Sequence, residues 1–287
     1  MTSEQLTIDA LTKIPPAAAH GFGERRFGAV NWLGLKTLIA KEVRRYLKVS
    51  FQTIFAPLIS TILFLIVFIQ AVGSGRAAIG GVPYVEFLAP GLIMMAILTN
   101  AFANSSSSII IGKVQGSIVD ILMPPLSASE LTFAFVVGAA SRGLLVAVVT
   151  AATSAVFMAM SSTPMHVSDL WAVAYFSTAA ALMFGMLGVI GGVWADKFDQ
   201  LAAFTNFVIT PLTFLSGTFY AINNLPEPFL TISRFNPVFY LIDGFRYGFI
   251  GHAEAPLVVG VLTTLLINIA LGAWCYALLK SGYKLKS

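Results

Sequence analysis

The chain has 287 residues, of which 57% are hydrophobic and 10% charged, against about 25% charged in soluble domains. So little charge cannot cover a water-facing surface, which excludes a soluble globular enzyme. The net charge of +4 comes from positive residues that are spread along the chain and follow the membrane topology, which argues against nucleic acid as a partner.

Residues 1–31 read as a flexible cytosolic tail, with Pro15-Pro16, Arg25-Arg26 and no apolar core of a signal peptide. Residues 32–50 read as an amphipathic interfacial helix. Leu35, Leu38, Ile39, Val43 and Tyr46 fall near one face, and Lys36, Lys41, Arg44, Arg45 and Lys48 occupy the rest. The plainer alternative is a positively charged flank to the first span. Six apolar blocks follow, each reaching the roughly 20 residues that cross a bilayer: Phe51–Val72, Phe87–Ile111, Leu131–Met158, Asp169–Trp194, Leu201–Tyr220 and Pro256–Leu279. Between the last two, residues 221–254 are apolar but broken by Pro226, Pro228, Pro237 and Gly244. That pattern suits a re-entrant helical hairpin entering the membrane from one side. Residues 51–280 thus form an all-α, six-span integral membrane domain, and 281–287 a short C-terminal tail.

Lysine and arginine set the expected orientation. Lys13, Arg25, Arg26, Lys36, Lys41, Arg44, Arg45 and Lys48 precede the first span, Lys113 and Lys197 lie in later connections, and Lys280, Lys284 and Lys286 end the chain. The opposite side has Arg76, Arg234 and Arg246. The positive-inside rule places both termini in the cytoplasm, as an even number of spans requires.

No catalytic constellation emerges. Gly112-Lys113 is followed by valine and lacks the preceding glycines of a phosphate loop. His20, His166 and His252 are scattered, so no metal site is expected. Cys275 stands alone in the last block and cannot form an intrachain disulfide. On the second span Asn100, Asn104 and Ser108 form one stripe, which suits either interhelical hydrogen bonding or the lining of a substrate path. Gly188 and Gly192 permit close helix contact. Asp243 and Arg246, at i and i+3, are placed to pair. The connection from Gly112 to Glu130 is too apolar for an ordinary loop. Ile118, Ile121 and Leu122 share a helical face that Pro124-Pro125 ends, giving either a docking surface or a cover for its own helix ends.

The run Gly116-Ser-Ile-Val-Asp-Ile-Leu-Met-Pro-Pro-Leu-Ser-Ala-Ser-Glu130, with Gly138 and Arg142-Gly143, resembles the cytoplasmic signature of ABC-2 type transporter permeases. Pro211-Leu-Thr-Phe-Leu-Ser-Gly217, Asn224-Leu-Pro226, Asn236-Pro237 and Asp243-Gly-Phe-Arg246 resemble the family's segment from the end of span five to the hairpins before span six. The resemblance covers roughly residues 32–280. Within the family it is closest to the bacterial subgroup that includes export permeases for Nod-factor lipo-oligosaccharides.

The resemblance implies a dimer of six-span subunits, most simply a homodimer, in the bacterial inner membrane. An ATP-binding subunit would dock beneath each copy, with ATP and Mg on that partner and no cofactor on this chain. Gly116, Ser117, Ile118, Asp120, Ile121 and Leu122, closed by Pro124 and Pro125, would form the coupling helix. Lys41, Glu42, Arg45, Tyr46 and the loop Asp196–Gln200 would flank the same joint, and Glu130 matches the family's acidic residue at the start of span three. Gly217, Pro226, Asn236, Pro237, Asp243 and Arg246 would belong to the outer gate. The expected function is the permease subunit of an ATP-driven exporter of a lipid-like, glycan-bearing or amphipathic substrate. An ion-coupled secondary transporter and a non-transporting scaffold are the alternatives. The first of these is disfavoured because the centres of spans one, four, five and six lack ionisable residues.

Overall fold

The computed structural model describes residues 30–72, 82–160 and 165–285. Most of the expected N-terminal tail, Arg76 and Lys286 lie outside the described residues. The chain divides into a unit of residues 1–31 and a unit of residues 32–287, and the described architecture is that of the second unit.

It is built of helices. α1 (Trp32–Leu47) leads into α2 (Ser50–Val72), followed by α3 (Tyr84–Val114), the short α4 (Ile118–Leu122), α5 (Ala128–Met160) and α6 (Leu170–Trp194). α7 (Phe198–Phe204) runs through a π-turn (Thr205–Ile209) into α8 (Thr210–Phe214). α9 (Phe229–Phe235), α10 (Pro237–Ile250) and α11 (Leu257–Ser281) complete the chain. Among the described residues five helices, α2, α3, α5, α6 and α11, are long and apolar enough to cross a membrane.

The block expected to span at Leu201–Tyr220 takes a different form. Its helical run, Phe198–Phe214, is shorter than the other five and carries the π-turn at its middle. Pro211 explains the turn: it cannot donate to the carbonyl of Phe207 and crowds it, and a wider turn relieves that crowding. The run then ends ahead of Gly217, whose φ is +75°.

α3 and α6 form the centre. Of α3's most apolar stretch 67% is buried within the chain, against 17% for α2 and 11% for α11, so the latter two turn their faces outward. The core joins Ile97, Ala101 and Phe102 of α3 to Phe176, Met183 and Phe184 of α6 and to Ile242 and Phe245 of α10. Small residues bring the two central helices together. A side chain at Gly192 would meet Ile109 Cβ and the Ser106 carbonyl at 3.0 Å, and Gly188 lies against the Phe102 carbonyl and Ser105 Oγ. Close backbone approach of this kind replaces the missing hydrophobic driving force between helices in lipid.

Candidate functional site

α1 buries Leu35, Leu38, Glu42 and Tyr46, a helical stripe that packs on α5 and includes a carboxylate. Trp32 and Leu33 on other faces stay exposed. Glu42 is fully buried, which is costly for a charge unless it is paired and hydrogen-bonded. Its Oε1 accepts from Ser108 Oγ at 2.7 Å and lies 3.6 Å from Lys41 Nζ; its Oε2 accepts from Arg45 at 3.2 Å. The Arg45 guanidinium also donates to the Asn104 carbonyl at 2.6 Å, to Asn104 Oδ1 at 2.9 Å and to Ser107 Oγ at 3.0 Å. Tyr46 donates to Ser141 Oγ at 3.3 Å. Gly138 makes room for this lock, since a Cβ there would stand 2.6 Å from Glu42 Cβ.

The polar stripe on α3 therefore divides. Asn104 and Ser108 are buried and hold α1. Asn100 bonds within its own turn, to the Ala96 carbonyl at 3.0 Å, and borders a cavity with Arg142.

α4 is tied back to the end of α3. Gly116, with φ +72°, makes the turn, which a residue with a side chain rarely adopts. Ile118 and Ile121 are buried, with Ile118 Cδ1 close against Gly112. Ile121 thus belongs to the inner face of α4, and Ser117 and Leu122 are half-buried. The exposed surface consists of Val119 (50%), Met123 (76%), Asp120, Pro124 and Pro125. Glu130 is buried and closes a capping box: its carboxylate accepts from the Ser127 N–H at 2.7 Å and Oγ at 2.8 Å, while its own N–H donates to Ser127 Oγ at 3.3 Å. Ser127-x-x-Glu130 before an apolar run is a legible start signal for α5.

A second polar joint had no counterpart in the sequence reading beyond the position of its charges. Lys113 at the end of α3 donates to the carbonyls of Val193 (2.9 Å) and Ala195 (2.6 Å) and pairs with Asp196 at 3.2 Å. Lys284, beyond α11, donates to the Trp194 carbonyl at 3.0 Å and pairs with Asp196 at 2.7 Å. Two cations thus cap the negative end of α6 and share one carboxylate. Their hydrogen bonds, Lys284 first and Lys113 second, hold the Asp196 carboxyl below the usual range, and the Asp196 bond holds Lys284 above its own.

At the far end of α3 the dipeptides and charges of the hairpin region meet. Asn236 caps α10 by accepting from the Val238 N–H at 3.0 Å, with Pro237 at the first helical position, and donates to the Leu212 carbonyl and Ser216 Oγ at 2.7 and 2.9 Å. Arg246 is buried. It donates to the Gly217 carbonyl at 2.7 Å and the Phe87 carbonyl at 3.3 Å, and its guanidinium lies 3.7 Å over the Phe87 ring. Asp243 does not pair with Arg246 as the i, i+3 spacing predicts. Its two oxygens accept from the N–H groups of Glu254 and Ala255, each at 2.9 Å, fixing the turn into α11. Two backbone donors on one side satisfy the carboxylate, while the guanidinium reaches the carbonyls on another. The Pro226 carbonyl accepts from the Phe229 N–H at 3.0 Å, at the entry to α9.

Comparison with known proteins gives these joints a context. Residues 34–250 match the ABC-2 type transporter family. The chain is 36% identical over 256 residues to the inner membrane transport permease YadH of Escherichia coli K12, covering 89% of this chain and 98% of that protein. It is 26% identical to nodulation protein J of Rhizobium leguminosarum bv. trifolii over 78% of this chain and 83% of that protein. With Rhizobium meliloti nodulation protein J it is 26% identical over 85% and 87%. The matched region runs from α1 to the end of α10 and so contains the Glu42 lock, α4 and the Arg246 cluster: this chain belongs to the ABC-2 type transporter family, as a multi-pass membrane permease.

Proposed function

We propose that the chain is the permease subunit of an ATP-driven exporter of the inner membrane, working as a homodimer with a separate ATP-binding subunit beneath each copy. The observation that carries this reading is α4. It is a short helix whose inner face is anchored by Ile118 and Ile121 and whose outer face offers Val119, Asp120 and Met123. A rigid element exposing apolar residues beside a carboxylate suits a partner surface, and the Glu42–Arg45 lock ties α1 to the same end of α3. ATP and Mg bind the partner. Both termini face the cytoplasm, Phe198–Phe214 completes a sixth crossing, and α9–α10 form the hairpin that closes the outer end. The cargo is lipid-like, glycan-bearing or amphipathic, the class that the resemblance to export permeases for Nod-factor lipo-oligosaccharides implies, and membrane lipids surround α2 and α11.

The test is co-purification with candidate ATP-binding subunits. V119D combined with M123D should abolish the complex while leaving membrane insertion and the thermal midpoint unchanged. A chain that forms no stable complex with any ATP-binding subunit sinks the reading, and transport that stops with a protonophore but survives ATP depletion favours ion coupling. Orientation is read separately in a C275S background. Cysteine at Asn223→Cys should react with an impermeant thiol reagent from outside, and at Asp120→Cys only after permeabilisation.

A further inference from the structure

Between α2, α3 and α5 lies a cavity of about 340 Å³, within the size range of small-molecule sites. Its lining changes along its length. α2 and α3 run antiparallel, with Leu65 packed on Leu88 and Leu92. Gln52 at the start of α2 and Asn100 in the second half of α3 therefore share one end with Arg142, while Phe64 and Leu92 lie at the other, with Ser60 and Thr61 between the two ends. The polar end adjoins the Glu42 lock.

Arg142 stands without a counter-ion among the described residues: no carboxylate pairs with it, and its buried Nε finds no acceptor. The neighbouring acid, Glu42, is already taken by Arg45, Lys41 and Ser108. A cation left so within a spanning helix is expensive, and an anion entering the cavity would complete it. A guanidinium beside two amides at one end and hydrocarbon at the other is the shape of an amphiphile's site.

We infer that this cavity binds an anionic amphiphile, with its acidic headgroup on Arg142 and its hydrocarbon along Phe64 and Leu92. The inference deepens the export reading by naming the charge of the occupant, and its binding test uses the permease alone, so that failure there leaves docking on α4 untouched.

The full chain in neutral detergent is titrated with dioleoyl phosphatidylglycerol or dioleoyl phosphatidylcholine and read by native mass spectrometry. The wild type should prefer the anionic lipid by about tenfold, the scale of one charge-assisted hydrogen bond. R142Q should lose the preference, and R142K should keep it to within about threefold, because lysine retains the charge but not the fork. A96F, which fills the cavity and leaves Arg142 in place, should fall to the level of R142Q. A wild-type preference in either R142Q or A96F overturns the inference, and if R142Q fails to fold, A96F decides. Two sources of occupant are then told apart in the assembled complex with its ATP-binding subunit. Stimulation of ATP hydrolysis by dihexanoyl phosphatidylglycerol, absent in R142Q, marks cargo. An unresponsive hydrolysis with the lipid preference intact marks a resident bilayer lipid; both results support the site.

Discussion

Glu42 shows how one buried charge sets the position of a helix. A carboxylate shut away from water keeps its place only through the donors around it, here Arg45, Ser108 and Lys41. Glu42→Ala leaves the Arg45 guanidinium with the Asn104 and Ser107 acceptors alone and strands Ser108. The expected cost is about 2–4 kcal/mol, seen as a lower thermal midpoint in detergent and as faster proteolysis of α1. Glu42→Gln keeps the shape and the Ser108 contact and should recover part of that loss. Gly138→Ala attacks the same joint from the other side. The added methyl would lie 2.6 Å from Glu42 Cβ, a rigid part of that side chain, so α1 must move away. Overpacking of this kind costs about 1–3 kcal/mol. If G138A leaves both the midpoint and α1 protection unchanged, the lock does not hold α1.

At the scale of elements, α4 and the end of α6 carry different expectations. Ile121→Asp buries a carboxylate in the seam between α4 and its support and should lower stability along with partner binding. Val119→Asp should affect partner binding alone, because half of that side chain is already in solvent. The Lys113–Asp196–Lys284 joint gives a pH dependence of known sign. Asp196 is depressed, so its contribution is present above the usual aspartate value of about 3.9 and is lost as pH falls through the depressed value. Lys284 is raised, so its contribution is present below about 10.4 and is lost as pH rises through the raised value. The difference in thermal midpoint between wild type and D196N should be flat from about pH 5 to pH 9 and shrink on both sides; a difference that varies within that plateau rules the joint out as its source. Because Asp196 and Lys284 are exposed, high salt should reduce the difference.

These elements also show what could be read in advance. Five apolar blocks became helices whose ends fall within a few residues of the expected ones, because burial in lipid demands a long apolar run. The block at Leu201–Tyr220 was harder, since Pro211 and Gly217 act through backbone geometry that composition does not record. The site followed the same division. α4 was legible from its proline stop, but which of its faces points inward was not, because Ile118, Val119 and Ile121 are equally apolar in sequence. Glu42 is expected from the resemblance at the joint with the partner subunit, but its burial against α3 and α5 is not legible in the sequence. Its burial depends on Gly138 and Ser108, which are 96 and 66 positions away in the chain, and a reading of helical periodicity does not reach that far.

At the scale of the molecule, α3 connects the two polar ends. Phe87 and Ser108 lie about 30 Å apart along one helix at roughly 1.5 Å per residue. The first supports Arg246 and the second holds Glu42. Helices that pack as closely as α3 and α6 move as rigid bodies more readily than they deform, so under the proposed coupling a displacement imposed on α1 and α4 would reach the Arg246 cluster through α3. An outer closure of the kind proposed would hold in one state and release in the other, and Arg246 suits that role because it bonds two carbonyls on separate segments, Phe87 and Gly217. Arg246→Lys keeps a positive charge but lacks the planar fork that spans both carbonyls and covers the Phe87 ring. We expect R246K to lower the thermal midpoint moderately, equivalent to about 1–3 kcal/mol, and to raise passive leak of a small fluorescent solute from vesicles holding the permease without ATP. Asp243→Asn disturbs the turn into α11 and spares both carbonyl bonds, so it should lower stability without raising leak. If D243N leaks as much as R246K, closure depends on the hairpin as a whole and not on the arginine that links it to α3.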